Sequence, residues 1–324
     1  MPNYDELATA EPAGSSWQVF GPDDQLGTIN FLTPERVAAA ARLIRTGRRF
    51  SLDYPINAFS PYPTGTRPDT RHTIFANNEF HRDDWLDSFY LQSTSQIDAL
   101  RHIGHPVHGF YNGLSADDNT QESTALGIHT WAQSGIAGRA VLLDVPRFFA
   151  SRGIPYDPGS TVVIDAAMLD AIADSQGVDW QGGEMVLLRT GWAEQFLGKT
   201  LEERQATPWR QSPGLAQREE ILRWLWDHEI ALVAADNLAV EADPVIESDF
   251  RIEGESAPAK GVNHSGMLHR PLIALLGMAL GELWKLDELA ADCAADGVYE
   301  FFLTCKPLNL IGGVGSPPNA MAIK

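Results

Sequence analysis

Residues Gly138–Val145 read GRAVLLDV, a short and strongly apolar run that predicts a buried β-strand. Two later runs have the same character, MVLLRT at Met185–Thr190 and IALVAA at Ile230–Ala235. Helical patterns separate these strands, at Ala166–Asp174 and at Arg218–His228. Short apolar strands mixed with helices are typical of a single α/β or mixed α+β domain. The middle of the chain therefore predicts a sheet covered by helices.

The same patterns extend toward both ends of the chain. Pro34–Arg45 (PERVAAAARLIR) predicts a helix, with Thr33 as its N-terminal cap. Pro271–Leu280 predicts a second helix with proline in its first turn, and Glu300–Thr304 (EFFLT) predicts a late strand. No internal repeat or low-complexity linker interrupts the sequence, so one domain is expected over residues 1–324.

Other stretches lack a regular pattern. Residues 57–88 contain SPYPTGTRPDTR and NNEFHRDDW, and they follow the helix and strand region of residues 1–56. Because long loops in compact domains are often functional, residues 57–88 are predicted to form a lid. Residues 199–214 and 242–262 are two further stretches predicted to be irregular.

The overall charge of the chain restricts its partners. The 43 acidic and 24 basic residues give a net charge of −19, which repels nucleic acids and anionic membrane surfaces. No apolar run approaches the length of a membrane-spanning helix, and the polar N-terminus does not resemble a signal peptide. We therefore expect a cytoplasmic protein that acts on a small molecule, with Cys293 and Cys305 reduced.

The run FYLQSTSQIDALRHIGHPVHGFYNG at Phe89–Gly113 is the most informative segment for function. Its first part, Phe89–Leu100, predicts a strand. Side chains on a strand alternate between faces, so one face carries Gln92, Thr94, Gln96 and Asp98. Three histidines follow at a spacing of three residues, His102, His105 and His108. Such a face is either solvated or lines a polar site.

Aromatic side chains flank this polar run on both sides. Trp85 and Phe89 lie just upstream of it, and Phe110 and Tyr111 lie just downstream. Aromatic rims around a polar centre are typical of pockets for flat molecules. We therefore predict that these four residues bind a cyclic or aromatic small-molecule substrate.

The polar run resembles the signature HxGTHxDxPxH of the cyclase family of metal-dependent hydrolases, which includes bacterial kynurenine formamidase and isatin hydrolase. The aspartate and the last histidine of the signature match Asp98 and His102. Gln92 and Gln96 replace the two metal-binding histidines, and Leu100 replaces the proline.

The resemblance covers most of the chain and is strongest to the longer members of the family. It includes Gly21–Val37 (GPDDQLGTINFLTPERV), Gly135–Val145 (GIAGRAVLLDV) and the C-terminal run PLNLIGGVGSPPNAMAI. It implies a compact α/β domain with a mixed, barrel-like sheet and flanking helices, of the swivelling β/β/α type. It also implies assembly into a homodimer or homotetramer.

The resemblance further implies a metal-dependent hydrolysis of a cyclic amide, a lactone or an aryl formamide by an activated water. The ligands carried over are Gln92, Gln96, Asp98, His269 and Glu282. His102 would be the general acid/base beside Asp98. His269 and Glu282 are 13 residues apart and cannot share one face of a straight helix, so Glu282 is expected at the end of the predicted helix or just beyond it.

The two glutamines leave three states of the site open. An oxygen-rich ligand set suits Mn²⁺ or Mg²⁺ better than Zn²⁺, and all three ions are candidates. Alternatively, one of His105, His108 or His264 completes the ligand set. Without a metal, His102 and Asp98 would form a proton-transfer pair in a cyclase, dehydratase or isomerase. A binding protein without catalytic activity is a further alternative.

Overall fold

A nine-stranded sheet forms the centre of the protein. The computed structural model describes residues 1–206 and 211–324. The strands are β1 Arg49–Ser51, β2 Arg71–Asn78, β3 His81–Asp87, β4 Gln96–Asp98, β5 Ile136–Asp144, β6 Val163–Ile164, β7 Met185–Arg189, β8 Gly214–Leu215, β9 Leu232–Ala235, β10 Ala279–Glu282, β11 Glu300–Cys305, β12 Gly315–Ser316 and β13 Ala320–Ile323. The helices are α1 Tyr4–Leu7, α2 Pro34–Ala40, α3 His129–Ser134, α4 Val145–Ser151, α5 Ala166–Gln176, α6 Trp192–Gly198, α7 Leu201–Ala206, α8 Glu219–Asp227 and α9 Asp287–Asp296. Short 3₁₀ turns lie at Gly27–Phe31, Ala41–Leu43 and Tyr111–Gly113, and a π-helical turn lies at Arg270–Leu275.

The strand order in the sheet is β1-β13-β11-β5-β7-β9-β10-β4-β12. The four strands β5, β7, β9 and β10 run parallel, whereas the pairs on either side of them are antiparallel. The sheet curls into a half-barrel with helices packed against it. This arrangement confirms the predicted α/β fold with a mixed, barrel-like sheet, and parallel strands of this kind are normally covered on both faces.

The apolar runs predicted as strands are the middle of this sheet. They become β5, β7 and β9, and every residue of β9 is buried. The connecting helices also begin where the sequence predicts. The side chain of Thr33 accepts a hydrogen bond from the main-chain nitrogen of Arg36 and caps α2. These local signals were sufficient because each of them depends on residues that are adjacent in the sequence.

Residues 57–88 are not irregular throughout, and that part of the prediction is wrong. Strands β2 and β3 pair antiparallel and form an exposed hairpin. At its turn Phe80 is 90% exposed, and Ile74 on β2 is 63% exposed. A ribbon that is exposed on both faces has no apolar face, so its sequence lacks the alternation that identifies a strand. The proposed lid function of the segment remains a prediction.

The predicted strand Phe89–Leu100 is mostly a turn. Only Gln96–Asp98 belongs to a strand, and Gln92 lies in the turn before it. The main-chain nitrogen and the hydroxyl of Ser93 both donate to the carbonyl of Tyr90, at 3.0 Å and 2.7 Å. This local bonding bends the chain away from the extended conformation. Gln92 therefore reaches the site from a turn rather than from the strand face.

The predicted helix Pro271–Leu280 is also incorrect in its second half. The helical turn ends at Leu275, and the chain then turns at Gly277 and enters β10. Gly277 has φ +64, and a Cβ there would lie 2.6 Å from the ring of Tyr111. An apolar run buried on all sides fits a helix and a strand equally well, which is why the sequence alone misassigned it.

The stretch predicted as irregular at residues 199–214 has two short elements at its ends, α7 and β8. Its residues 207–210 lie outside the described residues. Within the part of the chain that the structure describes, no helix is both long and apolar enough to span a membrane.

Candidate metal centre

Strands β4 and β10 place three polar side chains on one face of the sheet. In their antiparallel register Gln96 lies opposite Glu282, and Asp98 lies opposite Leu280. Because directly paired residues share a face and side chains alternate along a strand, Gln96, Asp98 and Glu282 project together. Ile97 projects to the other face and is fully buried. The register of two short strands thus gathers groups that are far apart in sequence.

The π-helical turn brings a histidine to the same place. Nε2 of His269, just before the turn, lies 2.9 Å from Oε1 of Glu282. Asp98, His269 and Glu282 are buried, and each offers a ligand atom such that these atoms lie within 4.8 Å of one another. His269 and Glu282 are 13 residues apart, and the chain between them forms a turn followed by a strand that returns to the site. Glu282 therefore lies on β10 and not at the end of a helix, as the sequence had suggested.

Glu241 supports the candidate centre, and sequence reasoning missed it. Its Oε1 accepts a hydrogen bond of 2.7 Å from Nδ1 of His269, and its Oε2 accepts one of 2.7 Å from the main-chain nitrogen of Leu268. A carboxylate behind one imidazole nitrogen fixes the ring orientation and directs the other nitrogen at a ligand. The available signal was a single acidic residue inside the apolar run LAVEA, which is too weak to identify on its own.

The charges of these groups depend strongly on one another. Burial alone would lower the pKa of His269, but its hydrogen bonds with Glu241 and Glu282 raise that pKa well above the ordinary value. Burial, reinforced by the charge of Glu282, raises the pKa of Asp98 well above its usual range. These pKa values are shifted because the carboxylates share a space from which water is excluded. Groups with shifted pKa values often cluster at functional sites.

Unsatisfied polar atoms show that the residues fit a cation. The carboxamide nitrogen of Gln96 donates to Oε2 of Glu282, which turns its oxygen toward the rest of the site. That oxygen and Oδ1 of Asp98 are buried without a hydrogen-bond partner among the described residues. A buried acceptor without a partner costs about 1–3 kcal/mol. A divalent ion would satisfy both oxygens, and hard cations prefer oxygen ligands.

Gln92 approaches the same region from its turn. Its carboxamide nitrogen is buried without a partner among the described residues. A Cβ at Gly315 would lie 2.6 Å from that nitrogen and 3.4 Å from Oδ1 of Asp98, so a side chain at this position would displace Gln92. A half-turn of the carboxamide exchanges its nitrogen and oxygen, so Gln92 can also offer an oxygen here.

His102 lies at the open side of the centre. Its Nε2 is 3.7 Å from Oδ1 of Asp98, and its side chain is 22% exposed. Burial, with the positive charge of His269 as the next cause, lowers the pKa of His102 to about 3. The imidazole is therefore neutral at neutral pH and can accept a proton.

The other candidate histidines lie at different distances from the centre. The ring of His264 lies 5.9 Å from that of His269, and burial lowers the pKa of His264 to about 4. His105 and His108 stack on each other, with their ring centroids 4.6 Å apart. His264 is thus placed beside the centre, whereas the group whose ligand atoms converge contains none of these three residues.

The four aromatic residues of the predicted rim lie in different surroundings. Trp85 is on β3, 48% exposed, and packs against Phe75 of the same hairpin. Tyr111 is fully buried, and its hydroxyl donates to Asp24. Phe89 and Phe110 are partly buried. Trp85 and Tyr111 therefore lie in two different environments, one on the surface and one in the core.

Two residues of the predicted lid border the centre instead. Nη1 of Arg67 donates to the hydroxyl of Tyr62 at 2.7 Å and to the main-chain oxygen of Gln92. Burial raises the pKa of Tyr62 well above its usual range, and the charges of Glu282 and Asp98 add to that rise. No spacing pattern in the sequence marks Tyr62 or Arg67.

Comparisons with known proteins identify the family of the chain. Residues 50–242 match the Cyclase family, described as "Putative cyclase". A crystal structure described as a novel cyclase is 33% identical, with a TM-score of 0.80, over 96% of this chain and 99% of that chain. No curated protein matches the sequence.

Two isatin hydrolases share the fold at low identity. Isatin hydrolase A from Labrenzia aggregata, bound to benzyl benzoate, is 15% identical with a TM-score of 0.57, over 85% of this chain and 93% of that chain. An isatin hydrolase bound to the product analogue thioisatinate is 17% identical with a TM-score of 0.56, over 85% of this chain and 91% of that chain. The family match covers more than half of the chain, and the 33% identical structure covers nearly all of it. The chain therefore belongs to the Cyclase family.

Proposed function

We propose that this protein is a hydrolase that opens a cyclic amide or lactone, or cleaves an aryl formamide, at a divalent-metal centre. The observation that carries the proposal is the buried group of Asp98, His269 and Glu282, whose ligand atoms lie within 4.8 Å of one another. The unpartnered oxygens of Gln96 and Asp98 support it. The isatin hydrolases that share the fold support the reaction class, since isatin is a cyclic amide.

The residues that would hold the ion are Gln96, Asp98, His269 and Glu282, with Gln92 as a further oxygen donor. Three of these four side chains offer oxygen, which favours Mn²⁺ or Mg²⁺ over Zn²⁺. When bound, such an ion polarises a carbonyl and lowers the pKa of water. Glu241 holds Nδ1 of His269, so Nε2 would be the nitrogen that binds the ion.

His102 is the proposed general acid/base. His102 is neutral at neutral pH, and its unprotonated nitrogen would take a proton from the attacking water and pass it to the departing nitrogen or oxygen. The 3.7 Å separation from Asp98 lets the carboxylate stabilise the imidazolium that forms. The ring is partly exposed, so a bound substrate could reach it.

The hydrogen bonds around Glu282 support a second candidate function. Gln96 donates to one of its oxygens and His269 to the other, so Glu282 is satisfied without a cation. In that state Asp98 and His102 would act as a proton-transfer pair. The corresponding reaction is that of a cyclase, dehydratase or isomerase, in which water is not a nucleophile.

Chelation separates the two functions. We would measure bound metal in the purified, untagged protein before and after dialysis against EDTA, together with hydrolysis of isatin, a lactone and formanilide. The hydrolase proposal expects a stoichiometric ion and an activity that EDTA removes and Mn²⁺ restores. Asp98→Asn should abolish metal retention, whereas Asp53→Asn, which changes a carboxylate outside the centre, should not. Absence of metal after incubation with excess Mn²⁺ would contradict the hydrolase and support the second function.

A further inference from the structure

The guanidinium of Arg67 is held rigidly beside the candidate metal centre. Its Nη1 donates to the hydroxyl of Tyr62 and to the main-chain oxygen of Gln92, and its planar group lies 4.8 Å from the centroid of the Tyr62 ring. These contacts fix one end of the guanidinium. The opposite edge, formed by Nε and Nη2, makes no hydrogen bond to any described residue.

The guanidinium of Arg67 lies beside the centre without touching its carboxylates. Gln92, whose main-chain oxygen accepts from Arg67, brings its carboxamide nitrogen close to Gly315, and Gly315 lies against Oδ1 of Asp98. Arg67 therefore borders the centre through Gln92. Arg67 has no hydrogen bond or ion pair with Asp98 itself among the described residues.

Two other partly buried arginines are neutralised by carboxylates, whereas Arg101 is satisfied by Asn119 and by main-chain oxygens. Arg139 pairs with Glu184 and Glu300, and Arg189 pairs with Asp144. Arg67 has no such partner within residues 1–206 and 211–324. An arginine fixed at one edge and open at the other is preorganised to bind a planar anion through two parallel hydrogen bonds.

We propose that Arg67 binds a carboxylate carried by the substrate, separate from the carbonyl that reacts. This inference rests on the proposed hydrolase function and narrows its substrates to cyclic amides, lactones or aryl formamides with an anionic carboxylate. Since Arg67 does not touch Asp98, His269 or Glu282, the carboxylate and the reacting carbonyl are held at two separate points. A protein with a net charge of −19 repels anions, so a local cation is needed to admit one.

Binding of unreactive aromatic probes tests the proposal independently of catalysis. We would compare 2-acetamidobenzoate with its neutral analogue acetanilide by calorimetry on EDTA-treated protein, which prevents binding of the carboxylate to a metal. The wild type should bind the acid at least about tenfold more tightly, as expected for a charge-assisted bidentate contact. Arg67→Met should abolish that preference, and Arg67→Lys should retain part of it.

Arg152 provides a matched control, because its guanidinium also stacks on an aromatic ring, 4.3 Å from the centroid of Phe148. Arg152→Met should leave the preference for the acid unchanged. Thermal unfolding of each variant reports whether it is folded, and the Arg67→Lys protein keeps the test decisive if Arg67→Met does not fold. No preference in the wild type, or an undiminished preference in a folded Arg67 variant, would overturn the proposal.

A kinetic comparison connects this contact to turnover. On the Mn²⁺-loaded protein, the ratio of kcat/KM for 2-formamidobenzoate over formanilide should fall about tenfold or more in Arg67→Met, mainly through KM. If the wild type hydrolyses neither probe while the calorimetric preference persists, the hydrolase proposal fails and the carboxylate site stands. If both probes are hydrolysed and the ratio of their kcat/KM values is the same in the wild type and in all variants, the carboxylate site is refuted and the hydrolase stands.

Discussion

Replacing Glu241 with glutamine should weaken divalent-metal binding, although Glu241 is not one of the proposed ligands. Its Oε1 accepts hydrogen bonds from Nδ1 and the main-chain nitrogen of His269, at 2.7 Å and 3.2 Å. Its Oε2 accepts one from the main-chain nitrogen of Leu268 at 2.7 Å. In Glu241→Gln one oxygen becomes an NH2 group, so either the N–H groups of His269 or that of Leu268 lose their acceptor. The first case removes the support of His269, and the second shifts the side chain that provides it.

The expected size of the effect follows from this position behind the imidazole. Loss of a carboxylate that orients a ligating histidine lowers metal affinity by about 10–100-fold. A change of that size corresponds to about 1.4–2.8 kcal/mol of binding free energy. The buried N–H group that loses its acceptor should also lower the free energy of unfolding by about 1–3 kcal/mol.

The assay is a competition for Mn²⁺ between the protein and a fluorescent chelator at fixed pH and ionic strength. Glu184→Gln is the matched control, because Glu184 is equally buried but pairs with Arg139 away from the centre. A folded Glu241→Gln protein with unchanged affinity would refute the role given to Glu241. An equal loss in Glu184→Gln would show that the effect is a general consequence of destabilisation.

Three further predictions test other parts of the molecule. His102→Ala should lower kcat by about 10²–10⁴-fold with metal content unchanged, and a loss below tenfold measured on the same preparation would contradict its acid/base role. Gln96→His should raise the affinity ratio of Zn²⁺ over Mn²⁺ by about tenfold or more, because imidazole is a softer ligand than a carboxamide; chelator competition with each ion measures this ratio. Burial raises the pKa of Asp53 to about 6, so the folded state binds its proton more tightly than the unfolded state. Urea denaturation should therefore show the wild type gaining stability relative to Asp53→Asn as the pH falls from about 7 to about 4, and a constant difference would contradict that shift.

The parts of the fold that sequence predicts well are those decided by neighbouring residues. Strands β5, β7 and β9 are continuous apolar runs, and the start of α2 is indicated by Thr33 and Pro34. Strand β10 could not be predicted, because an apolar run that is buried on all sides is compatible with a helix or a strand. Its assignment depends on pairing with β9 and β4, which are distant in sequence.

The candidate site shows the same division. Asp98, His269 and Glu282 could be named from the family resemblance, and the structure brings the three together. The resemblance could not supply Glu241 or Arg67, because neither lies in a recognisable motif and each acts through a contact made only in the folded chain. Residues that orient a ligand or border the site can therefore be identified only from the folded structure.

The exposed hairpin of β2 and β3 has a consequence for how the protein opens. A two-stranded ribbon without a packed face is marginally stable in water, so its hydrogen bonds should break without unfolding of the central sheet. Its amide protons should exchange with solvent much faster than those of β9, and proteases should cut first near Phe80. The protein would then have two cooperative units, in which the hairpin opens and closes many times for each global unfolding event.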